Sequence, residues 1–505
     1  MQATLRVERP RLAPEKLGFF RYGEVAGKVL LTNDAGEWHF LERGDFRSFL
    51  AGEISTQHAQ HAALHSKGFL RQGLDVEALA GRIRRKKQFL QRGPHLHIVL
   101  TTLRCNQSCR YCHASRTTMD RVDTDMSKET ARQAVDLAMQ SSSPYINFEF
   151  QGGEPTVNFP VIQDVVEYSR QKNRGLGKVL EHSLVTNMTA MTEEKAEWLI
   201  ANKVLVCTSL DGPEALHNWN RTWTGGQNAY AEVMRWIQYF NRRHRELGRD
   251  PRLWHVDALM TTTRKTLECW KDVIDLYVEL GIKNVHLRPL NPYGFAMSPN
   301  SWAAIGYSMR EYLDFYAKCL DYIIELNQRG VEIMEATASI FLVKMLTPED
   351  PNYVDIRSPA GQGLGALAYS YDGRIFPSDE GRMVAAMGDD SFQIGTLGRT
   401  SYDELMQHPT LRALAMASIQ DSLPLCHTCW NKPFCGIDPI DNYMVSGDIF
   451  GQRPLSPNHE EYYGVASLLF ERLADDPTGQ MEKLFRRWTI ARPYLAQDAP
   501  QEAAS

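Results

Sequence analysis

No apolar run in this chain of 505 residues approaches the roughly 18–20 residues that a membrane-spanning helix needs. The opening stretch "MQATLRVERPRLAPEKLGFF" carries early positive charge but neither the apolar segment nor the small-residue cleavage site of a secretory signal. A cytoplasmic location, with no membrane partner, is the resulting expectation. Basic charge is also short: 56 Lys and Arg stand against 61 Asp and Glu, a net charge of −5. No global field therefore draws the chain to nucleic acid. Its basic run "RIRRKKQ", residues 82–88, is short enough to be a solvated helix face or a linker. Internal repeats and low-complexity tracts are absent. Cysteine is scarce too. Nine are too few to staple a chain of this length, and six of them fall in two tight groups, which points to metal in a reducing compartment.

What is present is an ordinary globular composition, 43% apolar and 23% charged, in a chain too long for one core. Residues 1–90 read as a small module. In it "GKVLLTNDAGEWHFL" gives two short strands around an Asn-Asp-Ala-Gly turn, and helical stretches follow. That order suits a winged-helix-like α+β unit able to bind a peptide along an exposed edge. From about 91 to 300 strand and helix patterns alternate. "HIVLTTL", "YINFEFQGG", "EHSLVTNMT", "KVLVCTSLDG", "HVDALMTTT" and "NVHLRPLNP" are the strands, and 127–141, 159–173, 192–202, 229–247 and 267–280 the helices. This alternation predicts an α/β unit with a parallel sheet, open or partly closed as a barrel. Residues 301–350 read as a helical connection, 351–460 as a loop-like region rich in Gly, Pro and Cys, and 461–505 as a helix with a polar tail.

The first cysteine group, "CNQSCRYC", places Cys105, Cys109 and Cys112 at C-x3-C-x2-C directly after a strand. Three thiolates on a four-iron cluster leave one iron open to an external ligand. With Tyr111 before the last cysteine, the motif resembles the signature of the radical S-adenosylmethionine (SAM) enzymes. That resemblance implies a partial (β/α)6 barrel, a [4Fe-4S] cluster on the three cysteines, and SAM bound at the open iron. One electron from the cluster would cleave the sulfonium to a 5′-deoxyadenosyl radical, which takes hydrogen from substrate. Further segments match the same family. "GGEP" supplies Gly152, Gly153 and Glu154 for the cofactor's ammonium, and Thr186 and Asn187 fall at a ribose- or methionine-binding position. In "SLDGPEALHNWNR", Ser209 and Arg221 stand at polar-atom contacts, a guanidinium fork suiting a carboxylate. Asp211 there is read as a turn residue before Gly212.

The second group, "CHTCWNKPFC", holds Cys426, Cys429 and Cys435. Its spacing resembles the auxiliary-cluster (SPASM) domain of peptide-maturing radical enzymes, in a degenerate form. Ala360, Ser378 and Asp438 stand where ligands of a first auxiliary cluster would be, which implies its absence. The second auxiliary site keeps three cysteines, with His459 as the candidate fourth ligand; a second [4Fe-4S] cluster or zinc fits such a set. Cys207, Cys269 and Cys319 are read as ordinary buried thiols. Asp379, after Ser378, matches a catalytic base of sulfatase-maturing relatives, although a hairpin cap or a pair with Arg382 explains it equally.

The order of features looks most like the maturase of the His-Xaa-Ser peptide system. This implies a ribosomally made precursor peptide, a reductant such as flavodoxin or ferredoxin, and pairing with a second radical maturase. The expected product is a crosslink, such as a cyclophane, or an oxidised residue. The alternatives are a radical SAM enzyme of haem- or cofactor-biosynthesis type, sulfatase-maturase-like Ser/Cys oxidation, and a non-catalytic peptide-binding protein.

Overall fold

The structure, a computed structural model, describes residues 12–490 except 252 and 292. The expected polar tail, "DAPQEAAS", lies outside the described residues. The chain starts with an antiparallel sheet of β1 (Arg21–Val25), β2 (Lys28–Thr32) and β3 (Trp38–Leu41). The β1–β2 turn is Ala26-Gly27, both at positive φ (50° and 75°), a geometry that matches the twist of a two-residue hairpin. Three helices follow, Arg43–Leu50, His61–Ser66 and Val76–Lys86. Sequence pattern gave only two of these strands, because β1 (RYGEV) has weak apolar alternation.

A sheet of ten strands forms the centre. It contains β4 (Leu96–Thr102), β6 (Tyr145–Gly152), β7 (Val179–Thr186), β8 (Leu205–Ser209), β10 (Asp257–Thr261), β11 (Asn284–Arg288), β12 (Met334–Glu335), β13 (Ala366–Tyr369), β14 (Arg374–Phe376) and β15 (Gly395–Thr396). Two short strands, β5 (Gln107–Cys109) and β9 (Arg221–Trp223), pair apart from it. The order is β12-β11-β10-β8-β7-β6-β4-β13-β14-β15. Parallel pairing runs from β12 to β13, and the last two pairs are antiparallel. Six strands with helices between them make the expected (β/α)6 core, and its first and last strands do not pair with each other. Helices such as Lys128–Ala138 and Phe159–Asn173 pack their apolar faces on the sheet, burying Val135, Ile162 and Val165 against Ile146 and Phe148. Among the described residues no helix is long and apolar enough to cross a membrane.

Residues 351–460 are more ordered than a loop-like reading predicts. They contribute β13–β15 to the central sheet and the helices Asp379–Ala386, Tyr402–Met406, Pro409–Ala417 and Pro439–Ser446. β13 pairs in parallel with β4, some 270 positions earlier, so Leu367 lies opposite His97. The helix Pro457–Ala474 then packs on Met309–Gln328 and on β1, and Gln480–Trp488 follows it.

Candidate active site

The C-terminal residues of five parallel strands, Gly152, Thr186, Ser209, Thr261 and Arg288, line one cavity of about 390 Å³. Ends of parallel strands are where α/β folds gather chemistry, since the loops that follow converge there. Cys105, Cys109 and Cys112 lie on the loop after β4 and open onto the same cavity. They are free thiols. β5 holds the loop by pairing with β9, so that Cys109 faces Arg221 across the ladder.

Donors approach two of these sulfurs. The Gln107 amide N–H lies 3.4 Å from Cys105 Sγ, Asn187 Nδ2 lies 3.6 Å from it, and Arg221 Nη1 lies 3.9 Å from Cys109 Sγ. Burial pushes the Cys109 thiol up to about 12, so a bound metal is what would hold it as thiolate. Gln107 Nε2 is buried without an acceptor in the protein and belongs to a residue lining this space. The donor set and the orphaned amide fit a three-thiolate iron–sulfur cluster with a polar cofactor beside it.

Asp211, read as a turn residue, is instead the hub of a buried ion pair. It is fully buried and accepts from Tyr111 Oη (2.6 Å), Arg221 Nε (3.1 Å) and the Thr261 amide (3.2 Å). The guanidinium also lies over the Tyr111 ring at 5.1 Å. Burial alone would lower the pKa of Arg221, but Asp211 and Tyr111 outweigh it and hold the charge on. Thus Tyr111 and Arg221 sit together, with Arg221 aimed at the cysteine loop.

Gly152 and Gly153 are required by packing. A Cβ on Gly152 would stand 2.1 Å from the Thr102 carbonyl oxygen, and one on Gly153 would stand 2.4 Å from that of Leu103. Only glycine permits such contact between the two strand ends. Glu154 turns away from the cavity, which its neighbours Gly152 and Gly153 line. Its carboxylate accepts from Thr156 N (3.0 Å), Thr156 Oγ1 (2.5 Å), Thr186 Oγ1 (2.7 Å) and Asn187 N (2.8 Å). It therefore ties the end of β6 to the end of β7 and positions Thr186 and Asn187 at the wall.

Asp379 and Glu380 bring the C-terminal region to the cavity. Asp379 accepts from Arg382 Nε at 2.7 Å, the pairing anticipated as the structural alternative, while still lining the open space. Pattern reading missed His113, Glu149, Arg288 and Asp355, which line it too. Arg288 was within reach, because it ends a strand whose predecessors all supply wall residues. Cys207 also lines the cavity, contrary to its reading as an ordinary buried thiol; Cys319 is buried and Cys269 half-buried.

Cys426, Cys429 and Cys435 come together near the N-terminal module. Burial and the two neighbouring thiols push Cys435 up to about 12. His459 has its backbone N–H capped by Ser456 and its ring near Tyr463 (5.9 Å). No hydrogen bond among the described residues joins that ring to the thiols, and no three Cys, His, Asp or Glu stand close enough to hold a single metal ion. At two of the positions that the resemblance sets against ligands of a first auxiliary cluster, Asp438 caps Pro439–Ser446 and accepts from Gln362 Nε2, while the Ala360 N–H donates to Ser418.

Comparison with known proteins agrees with this geometry. The model of the radical SAM superfamily matches residues 99–247. A cysteine-type anaerobic sulfatase-maturating enzyme of Clostridium perfringens is 32% identical over 142 residues, covering 27% of this chain and 38% of its own. The radical SAM cyclopropyl synthase TigE of Paramaledivibacter caminithermalis is 22% identical over 29% of this chain and 33% of its own. An uncharacterized Methanocaldococcus jannaschii protein is 24% identical over 39% of this chain; the match spans 63% of that protein's length. Among solved structures, anSMEcpe with bound AdoMet superposes with a TM-score of 0.63 at 19% identity, over 78% of this chain and 98% of its own. SuiB of Streptococcus suis bound to S-adenosylmethionine gives 0.53 at 14%, over 87% and 99%. The chain therefore carries, over residues 99–247, a domain of the radical SAM superfamily, the class that works with S-adenosylmethionine and a [4Fe-4S] cluster.

Proposed function

We propose that the chain is a peptide maturase that abstracts hydrogen from a side chain of a ribosomally made precursor. The product is a crosslink, such as a cyclophane, or an oxidised residue. One observation carries the reading: the cavity that begins at the cysteine loop is closed by Tyr353, Asp355, Asp379 and Glu380 of the C-terminal region. Such a wall leaves room for a substrate beside the cofactor. Relatives that act on proteins or peptides support it, among them the sulfatase-maturating enzyme and SuiB, solved with its precursor peptide SuiA.

When bound, cluster and cofactor supply a hydrogen-abstracting radical. Cys105, Cys109 and Cys112 hold the cluster. The backbone of Gly152 and Gly153, with Thr186, Asn187, Ser209 and Arg221, orients the cofactor, and the enclosing walls exclude water. Crosslinking removes two electrons from the substrate; Cys426, Cys429 and Cys435 would hold a second cluster, which would offer an acceptor for the electron that hydrogen abstraction does not remove. The fourth ligand there is His459 or an exogenous group. A flavodoxin or ferredoxin supplies reducing electrons. Sulfatase-type oxidation of Ser or Cys is the second reading, favoured by the position of Asp379 on the cavity wall.

The test is anaerobic reconstitution with iron, sulfide, S-adenosylmethionine and dithionite. Wild type is expected to form 5′-deoxyadenosine, and Cys105→Ala none. About four irons should be lost in Cys105→Ala and about four in Cys429→Ala. Absence of 5′-deoxyadenosine from wild type sinks the proposal.

A further inference from the structure

Behind the main cavity lies a second one of about 120 Å³. The two share His286, Arg288, Tyr353, Asp355 and Glu380 as lining residues, so they adjoin. Five carboxylates surround the inner pocket: Asp355, Glu380, Asp438, Asp441 and Glu461. A single cationic side chain, Arg288, stands among them. Asp441 is already engaged by Tyr293 Oη and by Asn458 Nδ2 at 2.6 Å. Glu461 is only 7% exposed, and no hydrogen bond or ion pair joins its carboxylate to another described residue. The imbalance is severe, since buried like charges need protons or a counter-cation.

An independent observation points to what is missing. Gln362, 3% exposed, donates its amide Nε2 to Asp438 Oδ1 and leaves its Oε1 buried with no donor at all. It sits at the junction, since it lines the outer cavity and bonds a wall residue of the inner one. A buried acceptor without a donor is costly to leave unmade, so a donor-rich group is the natural complement. Leu290, Met309, Ile340 and Ile356 add apolar wall, beside the uncharged polar side chains of Asn291, Thr337, Ser456 and Asn458. No three of the described acidic, His or Cys residues are spaced to hold one metal ion. Apolar walls with carboxylates and an orphaned carbonyl suit an aliphatic stem ending in a cationic head better than a bare ion.

We propose that this inner pocket receives a basic side chain, lysine or arginine, of the peptide substrate, and so selects sequences with a basic residue near the modified one. The proposal rests on the peptide-maturase reading. Its ligand would come from the outer cavity, past Gln362, beside Asp438 and Ser378, two of the positions at which the sequence implied that a first auxiliary cluster is absent.

The test titrates the full chain calorimetrically with Nα-acetyl-lysine methylamide, Nα-acetyl-arginine methylamide and the uncharged Nα-acetyl-norleucine methylamide. One or both basic probes should bind at least about tenfold more tightly than norleucine. Glu461→Gln should shrink that ratio, with thermal melting showing that the variant is folded. Equal affinity of wild type for charged and uncharged probes overturns the proposal whatever the variant does. So does uptake of manganese(II) without preference for either basic probe. Formation of 5′-deoxyadenosine by wild type, without peptide, is scored separately. Its failure with the preference intact would reject the maturase reading and not the cation site.

Discussion

At the scale of single residues, Asp211 decides whether Arg221 stays beside the cysteine loop. Three donors converge on a fully buried carboxylate, and removing its charge leaves a guanidinium buried without a counter-ion. Breaking a buried pair by losing one partner costs about 3–5 kcal/mol. Asp211→Asn, which keeps the shape, is therefore expected to lose stability of that order in urea unfolding followed by tryptophan fluorescence. A change below about 0.5 kcal/mol would refute the hub. Glu461 offers a test by pH. Burial first, then Asp441 and Glu335, raise its pKa from 4.5 to about 8. The folded state then holds a proton that the unfolded state releases, so between pH 4.5 and 8 stability falls as pH rises, by up to about 1.4 kcal/mol per unit from this group. Below pH 4.5 both states are protonated, and above 8 both are ionised. Glu461→Gln should flatten that part of the stability profile, and an unchanged slope would assign the titration elsewhere.

At the scale of elements, the six βα strands were legible because each combines an apolar run with a polar end, as in "LVTN" closing β7. Those ends are the site, so the cysteine loop, Gly152, Gly153, Thr186, Asn187 and Ser209 could be read locally. What stayed hidden is non-local. β13 (ALAY) is short and buried on both faces, so it shows no alternation, and its partner β4 is far away in sequence. Asp211 looked like a turn because its donors come from Tyr111, Arg221 and Thr261, on three separate segments. The inner pocket was invisible for the same reason. The contact of the β4 and β6 ends makes its own prediction. In Gly153→Ala the methyl would meet two backbone carbonyl oxygens, 2.4 and 2.5 Å away, and backbone cannot rotate aside as a side chain can. Overpacking of this kind costs about 1–3 kcal/mol. The displaced strand Leu96–Thr102 leads directly into the cysteine loop, so reconstituted Gly153→Ala should also hold fewer irons than wild type. A variant with wild-type melting and iron content would contradict the close contact.

At the scale of the whole molecule, residues 12–90 are docked rather than tethered. Thr32 Oγ1 donates to the Trp430 carbonyl (2.7 Å), Arg21 Nε to that of His427 (2.6 Å), and Trp38 Nε1 to that of Met345 (2.8 Å). The module thereby braces both the helical connection and the segment carrying Cys426, Cys429 and Cys435. Lys86, from the basic run that looked like a solvated face, makes three more such ties. It is 7% exposed, and its Nζ donates to the carbonyls of Lys344 (2.7 Å), Thr347 (2.9 Å) and Glu349 (3.2 Å). Burial, with Lys344 nearby, lowers its pKa to about 8, so its charge is not what the site favours. The three acceptors are: the carbonyls of Lys344 and Thr347 lie at the end of the helix Ala336–Leu346, with no following turn to bond, and that of Glu349 lies just beyond it. Lys86→Met keeps the stem and removes the donors, which at about 1–3 kcal/mol for a buried acceptor left unmade should loosen the module before the core melts. Limited proteolysis is expected to cut Lys86→Met within residues 12–90 at temperatures where the wild type resists. Equal resistance of the two proteins would mean that the apolar contacts of Trp38 with Phe470 hold the module without this lysine.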